Sequence, residues 1–124
     1  MVATMSNPPD TSWTRARYSG FYDVPSGLVI HDNGRTFLLS RWFDEELDDY
    51  PTSYEVWELE PMDPELALVA PWPEIDRRKL RKLDDLPVKA LEFWPKRERD
   101  GERFYAWYRF TGDSRPDAAG GGAG

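Results

Sequence analysis

The sequence predicts an α+β domain built on a strongly bent antiparallel sheet of about five or six strands. Closure into a small barrel is left open, and one short helix precedes the C-terminal hairpin. Three observations predict this. Asn33-Gly34 supplies the two positive-φ positions that a type I′ hairpin turn needs. Runs rich in β-branched and aromatic residues recur at short intervals with turn formers between them. One segment, residues 74–83, has helical start and stop chemistry and stands just before the last pair of such runs.

A two-residue loop at Asn33-Gly34 sets the register of its flanking strands, because each step outward adds one residue on each side. Asp32 then faces Arg35, His31 faces Thr36, Ile30 faces Phe37, Val29 faces Leu38 and Leu28 faces Leu39. Ile30, Phe37, Leu28 and Leu39 share one apolar face, and Val29, Leu38 and Trp42 make the other partly apolar. The hairpin is therefore expected to be covered on both sides.

The 124 residues, 40% apolar and 15% aromatic, suit one domain with a real core. Residues 13–111 are assigned to it. Residues 1–12, rich in Ser, Thr, Asn and Pro, are expected to form a flexible arm, and residues 112–124 a flexible Gly-rich tail. The chain has no cysteine, which removes disulfides and thiolate metal sites from consideration. It shows neither a basic leader nor an apolar run of membrane-spanning length, so a soluble cytoplasmic setting is expected.

Along the chain, residues 18–23 (YSGFYD) predict a first strand, and the hairpin arms predict the second and third, the third reaching about Phe43. Clustered charge and Pro51 break the chain before a fourth strand at residues 54–60 (YEVWELE). Neither face of that strand is cleanly apolar, which suits a twisted or edge position. Pro61, Pro64, Pro71 and Pro73 mark an irregular connection, with a short helical or extended piece at residues 66–69. Pro73 opens the predicted helix over 74–83 (EIDRRKLRKL), whose acids lie near its N-terminus and bases near its C-terminus; Ile75, Leu80 and Leu83 form its narrow apolar stripe. Residues 88–94 and 103–111 predict the last hairpin, with turn chemistry at Asp100-Gly101.

Charge narrows the function classes. A net charge of −7 and a pI near 4.7 disfavour binding to nucleic acid or anionic lipid. Asp44, Glu45, Glu46, Asp48, Asp49, Glu55, Glu58, Glu60, Asp63 and Glu65 form a run of ten acids uninterrupted by Lys or Arg. The balance then reverses with Arg77, Arg78, Lys79, Arg81 and Lys82, read as a solvated basic helix face that can meet the acidic segment within the chain or across a homodimer.

Asp44, Glu46, Asp48, Tyr50, Thr52 and Glu55 fall at calcium-loop spacing. The bend position, however, is Asp49 instead of glycine, Pro51 follows, and the flanks read as strands, so a solvated connection is the better account. The metal assignment stays unknown. His31 is the only histidine and is placed beside the turn as an exposed residue, leaving no basis for a His-centred triad or metal centre. No GxSxG elbow or phosphate-binding glycine loop is present. Among the carboxylates, Glu55 is the one most apt to sit on aromatic surface, between Tyr54 and Trp57.

The leading expectation is a non-catalytic protein-binding module, of adaptor, inhibitor or immunity type, that meets a basic protein partner. Asp44, Glu45, Glu46, Asp48 and Asp49 supply the charge, and Trp42, Trp57 and Trp72 are the bordering anchors, since Trp is favoured in interfaces. Most of the six tryptophans are expected in the core. No cofactor is expected. One alternative is a small barrel with a ligand cavity lined by Tyr22, Phe37, Trp42, Trp57, Trp107 and Tyr108. Another is a divalent-metal or carboxylate-dependent enzyme using the acidic loop.

Overall fold

The computed structural model describes residues 12–22, 24–112 and 116. The arm over 1–12 and the tail over 112–124 fall, but for residues 12, 112 and 116, outside the described residues. The sheet comprises β1 (Thr14–Tyr22), β2 (Val24–Asp32), β3 (Arg35–Ser40), β4 (Ser53–Leu59), β5 (Lys79–Pro87), β6 (Leu91–Phe93), β7 (Glu98–Asp100) and β8 (Arg103–Phe110). All pairings are antiparallel, in the order β5-β4-β3-β2-β1-β8-β6, with β7 also on β8. Two short helices, α1 (Pro64–Val69) and α2 (Trp72–Arg77), join β4 to β5. The curled sheet makes a half-barrel.

The β2–β3 hairpin has the register set by its turn, from Asp32↔Arg35 out to Leu28↔Leu39. Asn33 (φ 55°) and Gly34 (φ 79°) take the left-handed conformations that a type I′ turn requires. Its two faces are both covered. On the concave side Leu28, Ile30, Phe37 and Leu39 join Tyr54, Val56, Leu86 and Tyr108 in one buried cluster. On the outer side Val29 and Leu38 meet Leu59, Ala67, Ala70 and Ile75, so α1 and α2 form the second cover.

Five expectations are corrected. Among the described residues the strands number eight, not five or six. Among the described residues α1 and α2 are the two α-helical elements, and the helix expected over 74–83 ends at Arg77, with Lys79–Pro87 forming β5. A stripe of only Ile75, Leu80 and Leu83 could not hold a longer helix, whereas β5 satisfies the outer hydrogen-bonding edge of β4 and brings Arg81 opposite Glu58. For the same reason β4 is not an edge strand: it lies between β3 and β5. Its mixed faces are explained by cross-strand ion pairs and by two register shifts against β5. The expected strand over 88–94 is a 3-10 turn at Val88–Ala90 followed by the three-residue β6, and the Asp100-Gly101 turn instead pairs β7 with β8. Strand three stops at Ser40, short of Phe43.

The half-barrel is drawn together at one corner. The Val88 N–H donates to the Thr52 carbonyl (2.9 Å), and Thr111 donates through its N–H to Ala90 O (3.0 Å) and through its hydroxyl to Lys89 O (2.9 Å). The interior needs no ligand to fill it: Phe37, Tyr54 and Leu39 are fully buried there. Tyr54 donates its hydroxyl to Pro25 O at 2.6 Å, and burial raises its pKa above the ordinary phenol value.

Candidate functional site

The acidic segment between β3 and β4 is a clasped loop. At its base the Arg41 N–H donates to Ser26 O (2.7 Å) and the Arg41 guanidinium to Pro51 O (2.6 Å). Further out, Asp44 and Asp49 exchange main-chain hydrogen bonds of 2.9 and 3.3 Å. The Asp44 carboxylate accepts from the N–H groups of Glu46 (2.9 Å) and Leu47 (3.4 Å), the local closure that Asp favours in turns. Asp48 takes φ 55°, and Phe43 packs edge-on against Tyr50 with ring centroids 5.6 Å apart.

Among the described residues, none of Asp44, Glu45, Glu46, Asp48 and Asp49 is paired with Lys or Arg. Glu58, from the same acidic run, contrasts with them. On β4 it receives Arg35 from β3 (2.9 Å) and Arg81 from β5 (2.8 Å), and its side chain is only 13% exposed. Hydrogen bonding from Arg35, reinforced by Arg81, holds its carboxyl below the usual carboxylate range despite some burial.

Four of the five basic residues are engaged, and the helix expected to carry them ends at Arg77. Arg78 meets Glu74 (3.0 Å), Lys79 meets Asp76 (2.9 Å), Arg81 meets Glu58, and Lys82 lies 3.6 Å from Asp85.

Beside the loop runs a groove of about 470 Å³ on the outer face of the sheet. Trp42 and Trp72 line it, with Leu38 and Ile75 below and Ser19 and Ser40 offering hydroxyls; Asp76 and Lys79 also contribute. Two glycines seat the Trp42 indole. A Cβ at Gly27 would stand 3.6 Å from the ring, and one at Gly20, which takes φ 76°, would stand 3.7 Å from it and 3.3 Å from Ser26 Cβ. The ring thus lies against bare backbone yet stays 58% exposed.

Trp72 opens α2, half-buried, with the Arg17 guanidinium 4.5 Å from its ring centroid. Arg17 is itself buried, donates to the Ala70 carbonyl, and has its pKa pulled below the ordinary value by burial. Trp57 is not part of the groove lining. It is half-buried against the helical cover, donates its Nε1–H to Glu55 (2.9 Å) and lies under Lys79 at 4.6 Å. Of the three tryptophans expected to border the acidic segment, the structure brings Trp42 and Trp72 to one groove and sets Trp57 apart.

Sequence reasoning missed Ser19, Asp76, Lys79 and Arg17. The one signal for the groove was Gly20 and Gly27 within strand-like runs, where glycine marks close approach of another group. His31 is corrected from exposed to half-buried: it pairs with Thr36 as expected, but its Nε2 is buried without a partner among the described residues, and burial lowers its pKa.

The residues at calcium-loop spacing do not converge, since no group of three or more His, Asp or Glu among the described residues is arranged to hold a metal ion. The aromatic set expected to line a barrel cavity is divided: Phe37 and Tyr108 fill the concave core, whereas Trp42 and Trp57 are on the outer face. The Tyr22 side chain lies outside the described residues. No helix among the described residues is long and apolar enough to cross a membrane. No protein-family model matches the chain, and neither a curated protein nor a solved structure matches it significantly.

Proposed function

We propose that the chain is a non-catalytic protein-binding module that engages a basic protein partner through the clasped acidic loop and the adjoining Trp42–Trp72 groove. The observation that carries this is that no described Lys or Arg lies on the five loop carboxylates, while Glu58, Glu74 and Asp76 are paired within the chain. Unpaired carboxylates on a hydrogen-bonded loop attract and orient a cationic surface, and a preshaped loop loses less freedom on binding. The groove adds apolar area next to that charge, as interface anchors require.

A tetra-arginine peptide titrated at low and physiological salt tests the proposal. Binding should weaken with salt, and the triple variant Glu45→Gln/Glu46→Gln/Asp48→Asn should weaken it by about tenfold at low salt, comparable to losing one or two close charge pairs. Equal affinity of the variant and the parent chain would reject the proposal.

A second reading rests on the groove volume, which is within the roughly 300–1,000 Å³ range of small-molecule sites. It predicts that a neutral aromatic ligand such as indole shifts the Trp42 signals with no effect of loop neutralisation.

A further inference from the structure

Aromatic rings in this protein are repeatedly covered by its own cations. Among the described residues, eight rings carry a Lys or Arg within 5.3 Å of the ring centroid, seven of them an arginine. The pattern extends to the exposed rings. Phe21 (43% exposed) is covered by Arg97 at 3.8 Å and Phe104 (37%) by Arg99 at 5.3 Å. Phe43 (49%) packs edge-on against Tyr50, whose ring carries Arg41. Trp57, Trp72 and Trp13 each have a cation as well.

Trp42 is the exception. It is the most exposed of these rings, and no described residue places a cation or another aromatic ring against it. The outer edge of its benzo ring (Cζ2, Cζ3 and Cη2) comes nearest to Gly20 and Gly27, while the residue stays 58% exposed and borders the groove. It is also two residues from Asp44, where the unpaired acidic loop begins.

We infer that the exposed indole of Trp42 is the docking seat for an arginine side chain of the partner, whose guanidinium stacks on the ring while the loop carboxylates attract the basic segment that carries it. Tryptophan is the strongest aromatic host for a cation, and the planar, weakly hydrated guanidinium stacks better than an ammonium. Lysine is thereby the weaker occupant. Asp76 in the same groove has a carboxylate held by Lys79, so the seat offers one stacking surface and no second free carboxylate of its own. This inference rests on the basic-partner reading, but it makes a separate demand: arginine must be preferred, and the preference must depend on the ring.

The test uses three peptides, Gly-Ser-Arg-Gly-Arg-Ser-Gly and its lysine and citrulline counterparts, capped at both ends, titrated into the full chain. The readout is the indole N–H resonance of Trp42, assigned by its loss in Trp42→Phe. The arginine peptide should move that resonance. Trp42→Leu should weaken the arginine peptide by about two- to thirtyfold, Trp42→Phe by less, and the lysine peptide should bind more weakly and respond less to either change. If Trp42→Leu binds the arginine peptide as the parent chain does while loop neutralisation weakens it, the stacking inference falls and the basic-partner reading stands. If loop neutralisation has no effect but Trp42→Leu does, the stacking stands and the acidic-loop reading falls. Binding of none of the peptides overturns both.

Discussion

Glu58 and the loop acids Asp44 to Asp49 belong to one uninterrupted acidic run in the sequence, yet the fold puts them to opposite uses. Glu58 lies mid-sheet, mostly buried, between arginines from the two neighbouring strands. The carboxylates of the loop acids, among the described residues, accept hydrogen bonds only from main-chain N–H groups of the same loop. Charge held between strands contributes to stability; charge left without a partner contributes a field. An acidic run is therefore not one feature, and cross-strand neighbours decide what each carboxylate does.

The comparison can be broken most severely at Glu58. Glu58→Ala removes the carboxylate that Arg35 and Arg81 share and should cost about 1–3 kcal/mol in denaturant unfolding, with the more exposed Arg81 contributing little of it. Its pH dependence has a definite sign. Because the folded-state pKa lies below the ordinary 4.5, the stabilisation is present above that value and is lost as pH falls through the depressed folded value. Glu58→Gln should flatten that acid limb.

Asp44 is intermediate, since its carboxylate clasps the loop. Asp44→Ala should cost about 0.5–1 kcal/mol, as for loss of a local cap, and should speed amide exchange at Glu46 and Leu47. The smallest effect belongs to Glu45→Gln/Glu46→Gln, which should change stability by less than about 0.5 kcal/mol, because both residues are exposed and unpaired. A large loss there would mean that the loop acids also support the fold.

The β2–β3 hairpin was legible because Asn33-Gly34 ties register to local chemistry, and register then assigns every side chain to a face. β5 was not legible. Its proline-led start and its charge order imitate a helix, and only the unmet edge of β4 shows that residues 79–87 must pair as a strand. The candidate site was half legible. Trp42 and the loop acids are neighbours in sequence, so their association was visible. The distant partners, Trp72 and the glycines beneath Trp42, meet it only through the strand pairing of β1 with β2 and the return of α2 over the outer face. Likewise, the pairing of Glu58 with Arg81 required knowing that β5 lies beside β4.

The position of β1 also bears on the order in which the molecule is assembled. The meander β1–β4 forms from neighbours in the chain, but the other side of β1 is paired by β8, joining Thr14 to Tyr108. Tyr108 then donates its hydroxyl to His31 O at 3.1 Å and enters the concave cluster. Until the last strand arrives, one edge of β1 and one wall of the interior are uncovered. A sheet closed by so distant a pairing is expected to fold on the order of milliseconds to seconds, and a chain stopped short of β8 would carry an open sheet edge available to other chains.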